Sequence, residues 1–283
     1  MENEFERIYE WTNEKLKNER TAIKEYKNEI RQSEGLIIGI IILCLLIAFF
    51  APTLTAKYIF ITVAVLMFIF CTLYTFKSER KITARQNKYS EYALSELAVH
   101  IKDGFVYDKN EEILGSYYRK SGFNRIYKEL DSYGVISGTK AGNTISISNI
   151  IVKSETDELF RGIFGYGTLN NSINEIDVMR VNSKNNKKEK YQIPNQEMYI
   201  YAENMVEARQ VINESAIQYI EDFMKATDYK LELMINNNMA FFRFFDQDIL
   251  TKPLANDKET KEFLHKYYRI IEFIAGFIDI IDK

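Results

Sequence analysis

The sequence predicts an α+β protein carrying a hairpin of two membrane-spanning helices near its N-terminus. Three observations point there. Two uncharged apolar runs lie close together in the first 76 residues, β-branched strand-like stretches dominate the middle of the chain, and segments of helical period are segregated around them. That arrangement favours a largely antiparallel sheet with packed helices.

The chain has 283 residues, enough for one large domain or two small ones beyond a membrane anchor. A net charge of −3 and a pI near 5.7 provide no bulk attraction for nucleic acid, so no nucleic-acid partner is expected. The two cysteines, Cys44 and Cys71, both fall inside the apolar runs, so the rest of the chain has no disulfide framework.

Residues 1–34 read as a charged cytoplasmic helix. Tyr9, Leu16, Ile23 and Ile30 recur every seven residues, with Phe5, Thr12 and Tyr26 at the complementary positions and Glu19 breaking the second row. This is an imperfect coiled-coil seam. It packs either on the helix that leaves the membrane or on a second copy of the chain, giving a homo-oligomer through residues 1–34. Residues 35–51 and 58–76 carry no charge and are the two transmembrane helices, joined by an extracytoplasmic link at 52–57. The lipid bilayer is thus an expected partner. Arg20, Lys24, Lys27 and Arg31 precede the first span and Lys77, Arg80, Lys81, Arg85 and Lys88 follow the second, whereas the link holds Lys57 alone. That bias places both termini in the cytoplasm. Residues 77–102 continue as a helical stalk with Ile82, Tyr89, Ala93, Leu97 and Ile101 on one stripe.

Residues 103–283 form the cytoplasmic α+β domain. A helical period over 111–130 is followed by a β-hairpin over 134–153 that turns at 139–143. Strands are predicted at 159–167, 173–181 and 198–201, and a polar basic loop at 183–190. Helices follow at 203–213 and 214–227. Residues 231–235 and 239–245 read as a hairpin turning on Asn236, Asn237 and Asn238, because Asn tolerates positive φ. A terminal helix covers 258–281. Arg269, Glu272 and Asp279 interrupt its apolar face, which makes it a core helix or an interfacial one, not a third span.

Several short motifs carry a resemblance. Ser121-Gly122-Phe123, the stretch DSYGVISG at 131–138, Leu159-Phe160-Arg161-Gly162-Ile163-Phe164, Tyr199-Ile200-Tyr201-Ala202, Val206-Glu207-Ala208-Arg209 and the strand–Asn–strand segment at 231–245 occur in this order. Together they resemble the bacterial domain-of-unknown-function 3137 family, membrane proteins with an N-terminal span hairpin. The resemblance implies that architecture and a place in the bacterial inner membrane. It implies no reaction.

The chemistry-bearing residues form no recognised catalytic set. Gly138-Thr139-Lys140-Ala141-Gly142 lacks the spacing and ending of a phosphate loop, and Gly162, Gly165 and Gly167 do not make a dinucleotide fingerprint; they suit a bend or bulge. His100 and His265 stand far apart in no metal-ligand spacing, and no nucleophile elbow is present. No catalytic, cofactor-binding or metal site is therefore predicted. Carboxylates cluster near strand ends at Asp131, Glu175, Asp177, Glu207, Asp246 and Asp248. Asp131, Glu207 and Arg209 are the candidate polar hub, binding a ligand or holding the fold. Lys184, Lys187, Lys188 and Lys190 are a candidate basic loop facing anionic lipid, or a solvated one. The functional expectation is a membrane-tethered scaffold or sensor that binds a protein partner or ligand. The alternative is an enzyme of unrecognised type acting on a membrane-associated substrate.

Overall fold

The computed structural model describes residues 2–101, 104–113, 115–124, 126–140, 142–179, 188–193, 198–227, 229–245 and 257–282. The chain divides into two compact units: Trp11–Tyr92 with Lys252–Thr260, and Met1–Glu10, Ala93–Thr251 and Lys261–Lys283.

The first unit is helical. It contains most of α1 (Glu2–Phe50) and α2 (Leu54–His100). Part of the predicted seam is buried in it. Leu16, Ile23 and Ile30 are buried, the Arg85 guanidinium lies 4.4 Å over the Tyr26 ring, and Thr75 Oγ1 donates to Glu34 Oε1 at 2.9 Å. The apolar segments behave oppositely. In the most apolar window of each helix only 11% and 6% of residues are buried, and Leu36 and Phe50 remain 66% and 78% exposed. A soluble core helix buries such residues, and an exposed apolar surface this large marks a contact with a membrane or another protein. By length, composition and outward-facing apolar side chains, both helices suit a membrane.

The second unit is α+β and is built on one seven-stranded antiparallel sheet. Its strands are β1 (Val106–Asp108), β2 (Glu129–Lys140), β3 (Asn143–Lys153), β4 (Glu158–Met179), β5 (Glu189–Gln192), β6 (Tyr199–Ala202) and β7 (Lys230–Phe245). They run in the order β1-β2-β3-β4-β6-β5, with β7 also paired to β4. Helices α3 (Gly115–Ser121), α4 (Met205–Val211), α5 (Glu214–Thr227) and α6 (Asp257–Ile281) complete it. Strand side chains alternate between faces, and both faces here are covered. Phe242 and Phe244 of β7 meet Phe273 and Phe277 of α6, whereas Phe241 joins Tyr118, Ile150, Val152, Phe160 and Phe164 in a cluster with α3. Two β4 glycines bring α6 onto the sheet: a Cβ on Gly165 or Gly167 would stand 2.7 Å from Ile274 Cδ1 or 2.1 Å from Ile278 Cδ1. Their role is this close approach, where the sequence suggested a bend. Ile270, Ile271, Ile274, Phe277 and Ile278 are fully buried, which makes α6 a core helix.

The β2–β3 hairpin turns where expected, with Gly142 at φ 87°. Three predicted elements differ. The helical period at 111–130 yields only α3, because Gly122 at φ 74° ends it and Leu130 already pairs with Val152 in the sheet. The two strands predicted at 159–167 and 173–181 are one, β4. The hairpin predicted at 231–245 is also a single strand. Its two arms do not pair with each other; both pair with β4, Phe245↔Gly162 through Met239↔Thr168 and then Ile235↔Ile176 through Leu233↔Val178. Asn237, at φ 56°, sits where the register shifts. The matching irregularity in β4 is held from afar. The Asp282 carboxylate accepts the backbone N–H of Asn170 at 2.9 Å and that of Asn171 at 3.0 Å.

Candidate functional site

A cavity of about 270 Å³ opens between α5 and α6. Helix α5 is set by its N-cap, where Asn213 Oδ1 accepts Ala216 N–H at 3.0 Å, and by the buried stripe Ala216, Ile220, Met224. That stripe places Tyr219 and Phe223 at the flank of the helix. There Tyr219 stacks on Phe273 of α6 (5.3 Å, 7°), and Phe223 stacks on the same ring (4.1 Å, 28°). Gly276 permits this approach, since a Cβ there would lie 2.2 Å from the Tyr219 hydroxyl. From α6, His265, Tyr268 and Arg269 fall at i, i+3 and i+4 and so share one side of the helix.

The polar groups gather at one part of the lining. Arg269 Nε donates to His265 Nε2 at 2.9 Å, and its Nη1 donates to Ala226 O at 2.8 Å. His265 Nε2 is therefore an acceptor, and a neutral imidazole carries its proton on Nδ1. Phe5 packs against His265 at 4.4 Å and Tyr268 at 5.5 Å. Burial raises the pKa of the Tyr268 hydroxyl, and the Glu272 and Glu4 carboxylates raise it further. Burial, then Glu272, pushes Tyr219 up to about 12, and its hydroxyl donates to Glu272 O at 3.3 Å. An apolar cavity of about 150 Å³ holds benzene. This one has room for a two-ring or short acyl body between aromatic walls, with an Arg–His pair to meet a polar end. Among the described residues no group of three or more His, Cys, Asp or Glu is placed to hold a metal ion.

The structure does not bring the sequence-predicted hub together. Asp131 lies on β2 and accepts from Lys153 Nζ at 2.9 Å. Glu207 lies on α4, where it accepts from Asn174 Nδ2 at 2.8 and 3.0 Å, while its backbone N–H is capped by Asn204 at 3.3 Å. The Arg209 guanidinium rests 4.6 Å over the Tyr191 ring and borders an open groove beside β5, with Val206, Ile217, Glu189 and Glu214. These are three separate structural contacts.

Of the basic loop, Lys184 and Lys187 lie outside the described residues, as do Asp246 and Asp248. Lys190 belongs to β5, and its ammonium sits 3.9 Å from the Tyr199 ring centroid. Lys188 is corrected outright. Its side chain is 6% exposed and its ammonium bonds Asp177 at 2.7 Å and Glu175 at 2.8 Å, so it turns inward and cannot face lipid. Burial alone would lower its pKa, but hydrogen bonds to Asp177 and Glu175 outweigh that and raise it.

Sequence reasoning missed a second buried pair, Arg243 with Glu232. Arg243 Nη1 also donates to Asn124 Oδ1 at 2.6 Å and to the Tyr118 hydroxyl at 3.3 Å, and its guanidinium lies 4.3 Å from Phe123 and 5.2 Å from Phe160 and Phe245. A lone Arg amid a Phe run is the only sequence signal for it.

No family model matches the chain, and no curated protein matches it. Among solved structures, the crystal structure of the mycobacterial trehalose monomycolate transport factor A, TtfA, aligns over 69% of this chain and 93% of that one. The sequence identity is 12% and the TM-score 0.47.

Proposed function

We propose that this protein is a membrane-tethered binding module. Helices α1 and α2 anchor it in the bacterial inner membrane with both termini cytoplasmic, and its α+β unit offers the α5–α6 cavity to a small apolar ligand or to the apolar side chain of a partner protein. The cavity carries this reading. Its aromatic walls and few polar groups, chiefly the Arg269–His265 pair, are the usual make-up of a ligand site. The excess of Lys and Arg flanking the spans supports the orientation. The enzyme reading rests on Asp131, Glu207 and Arg209 meeting in one pocket, and these three are instead engaged separately. Burial of Leu16, Ile23 and Ile30 supports packing of the seam within the chain over self-association through residues 1–34.

Thermal shift of the full chain in mild detergent, screened against aromatic and alkyl carboxylates, tests the site. Ligands that stabilise the native protein and leave Ala226→Trp unmoved support it. Equal shifts in both place binding elsewhere.

A further inference from the structure

A second cleft lies within the helical unit, at the end of the apolar segments. It encloses about 490 Å³ between α1 and α2 and is lined by Lys24, Lys27, Arg31 and Glu34 from α1 and by Thr75 and Glu79 from α2. We propose that this cleft binds the headgroup of an anionic phospholipid, a site distinct from the α5–α6 cavity. The inference rests on the reading of α1 and α2 as membrane spans.

Depth argues for a lipid as the source of the anion. The uncharged run of α1 begins at Gly35, one residue after Glu34, and that of α2 ends at Phe76, one residue after Thr75. At a rise of about 1.5 Å per residue, Arg31 stands about 6 Å, Lys27 about 12 Å and Lys24 about 16 Å before the uncharged run, so the membrane end of the cleft, at Arg31, Glu34 and Thr75, sits at the headgroup level and Lys27 and Lys24 extend it to the aqueous side. Lys24, Lys27 and Arg31 follow one another at i+3 and i+4, which aligns three cations along one stripe of α1. Like charges at this spacing repel. Among the described residues none of the three has an ion pair or a hydrogen bond from its side chain to relieve that repulsion. Of the two carboxylates in the lining, Glu34 is engaged by Thr75 Oγ1 at 2.9 Å, and Glu79 is exposed. An anion between the helices would neutralise the stripe. Basic pockets between spanning helices on the cytoplasmic side are where such headgroups bind.

The test uses the full chain in nanodiscs of phosphatidylcholine mixed with phosphatidylglycerol, with retained lipid read by native mass spectrometry. The expected result is selective retention of phosphatidylglycerol. Retention should weaken about fivefold for Arg31→Gln and by less for Lys27→Gln and Lys24→Gln, and stay unchanged in Lys77→Gln/Lys81→Gln, which removes charge outside the cleft at depths that bracket that of Arg31. Equal loss in the Lys77/Lys81 variant would reduce the effect to a general surface field and overturn the site. Displacement of the lipid by inorganic phosphate would make the ligand a free anion and overturn the lipid assignment. Incorporation without phosphatidylglycerol preference overturns the proposal alone, whereas failure to incorporate overturns the membrane reading as well.

Discussion

Glu232 and Arg243 stand eleven positions apart on one strand, yet their side chains form a buried ion pair. A straight strand would separate them by about 36 Å. Strand β7 therefore doubles back on itself around Asn237, and β4 follows it through its own irregularity at residues 168–173. The folded ribbon wraps the cluster that includes Tyr118, Phe164, Met234 and Phe241, and the ion pair ties its two arms across that interior.

Removing one partner of this pair leaves a buried, uncompensated charge. Arg243→Met is expected to destabilise the protein by about 3–5 kcal/mol, and Glu232→Leu/Arg243→Met to recover much of that loss. Urea denaturation of the full chain in mild detergent, followed by circular dichroism, measures both. Equal stability of the single variant and the native protein would contradict the tie.

The contact of α6 with the sheet depends on missing side chains. Gly167→Val would press on Ile278 and is expected to cost about 1–3 kcal/mol. Gly39→Ala is the control: its Cβ meets nothing within 4 Å, and it should be neutral or gain up to about 1 kcal/mol. The same denaturation series compares them.

Stability should fall at alkaline pH. Tyr219 and Tyr268 have raised pKa values in the folded state, and so does Lys188. A raised folded pKa means the native state holds its proton after the unfolded chain has lost it. The stabilisation is complete below the unfolded value, 10.0 for Tyr, and is lost as pH climbs towards about 12 for Tyr219. Tyr219→Phe should flatten this alkaline limb at a cost of up to about 1.5 kcal/mol near neutrality for the lost hydrogen bond to Glu272 O. Melting curves across that range provide the comparison; an unchanged slope in Tyr219→Phe would place the titration elsewhere.

What the sequence revealed depended on how local each signal was. The two long apolar helices were legible because a long charge-free run has few structural solutions. Helices α5 and α6 were legible from their 3.6-residue period, and the β2–β3 hairpin from its Gly and Asn turn. The path of β7 was not, because Asn236–Asn237–Asn238 suits a bend as well as a turn, and only pairing with β4 decides between them. The support for that bend, Asp282, lies 112 positions from Asn170. The α5–α6 cavity carries no motif at all: it arises where Gly276 lets Tyr219 approach, a relation between two helices. Lys188 misled because a run of Lys and Asn looks solvated until Glu175 and Asp177 are folded against it.

Cysteine accessibility tests the anchoring most directly, because the native cysteines, Cys44 and Cys71, both lie within the apolar segments. In intact cells, a membrane-impermeant maleimide should leave the native protein unlabelled, should label Thr55→Cys in the link between the spans, and should reach Lys225→Cys on α5 only after lysis. Labelling of Lys225→Cys in intact cells with Thr55→Cys protected would contradict the cytoplasmic orientation, and ready labelling of Cys44 and Cys71 would contradict the membrane hairpin itself.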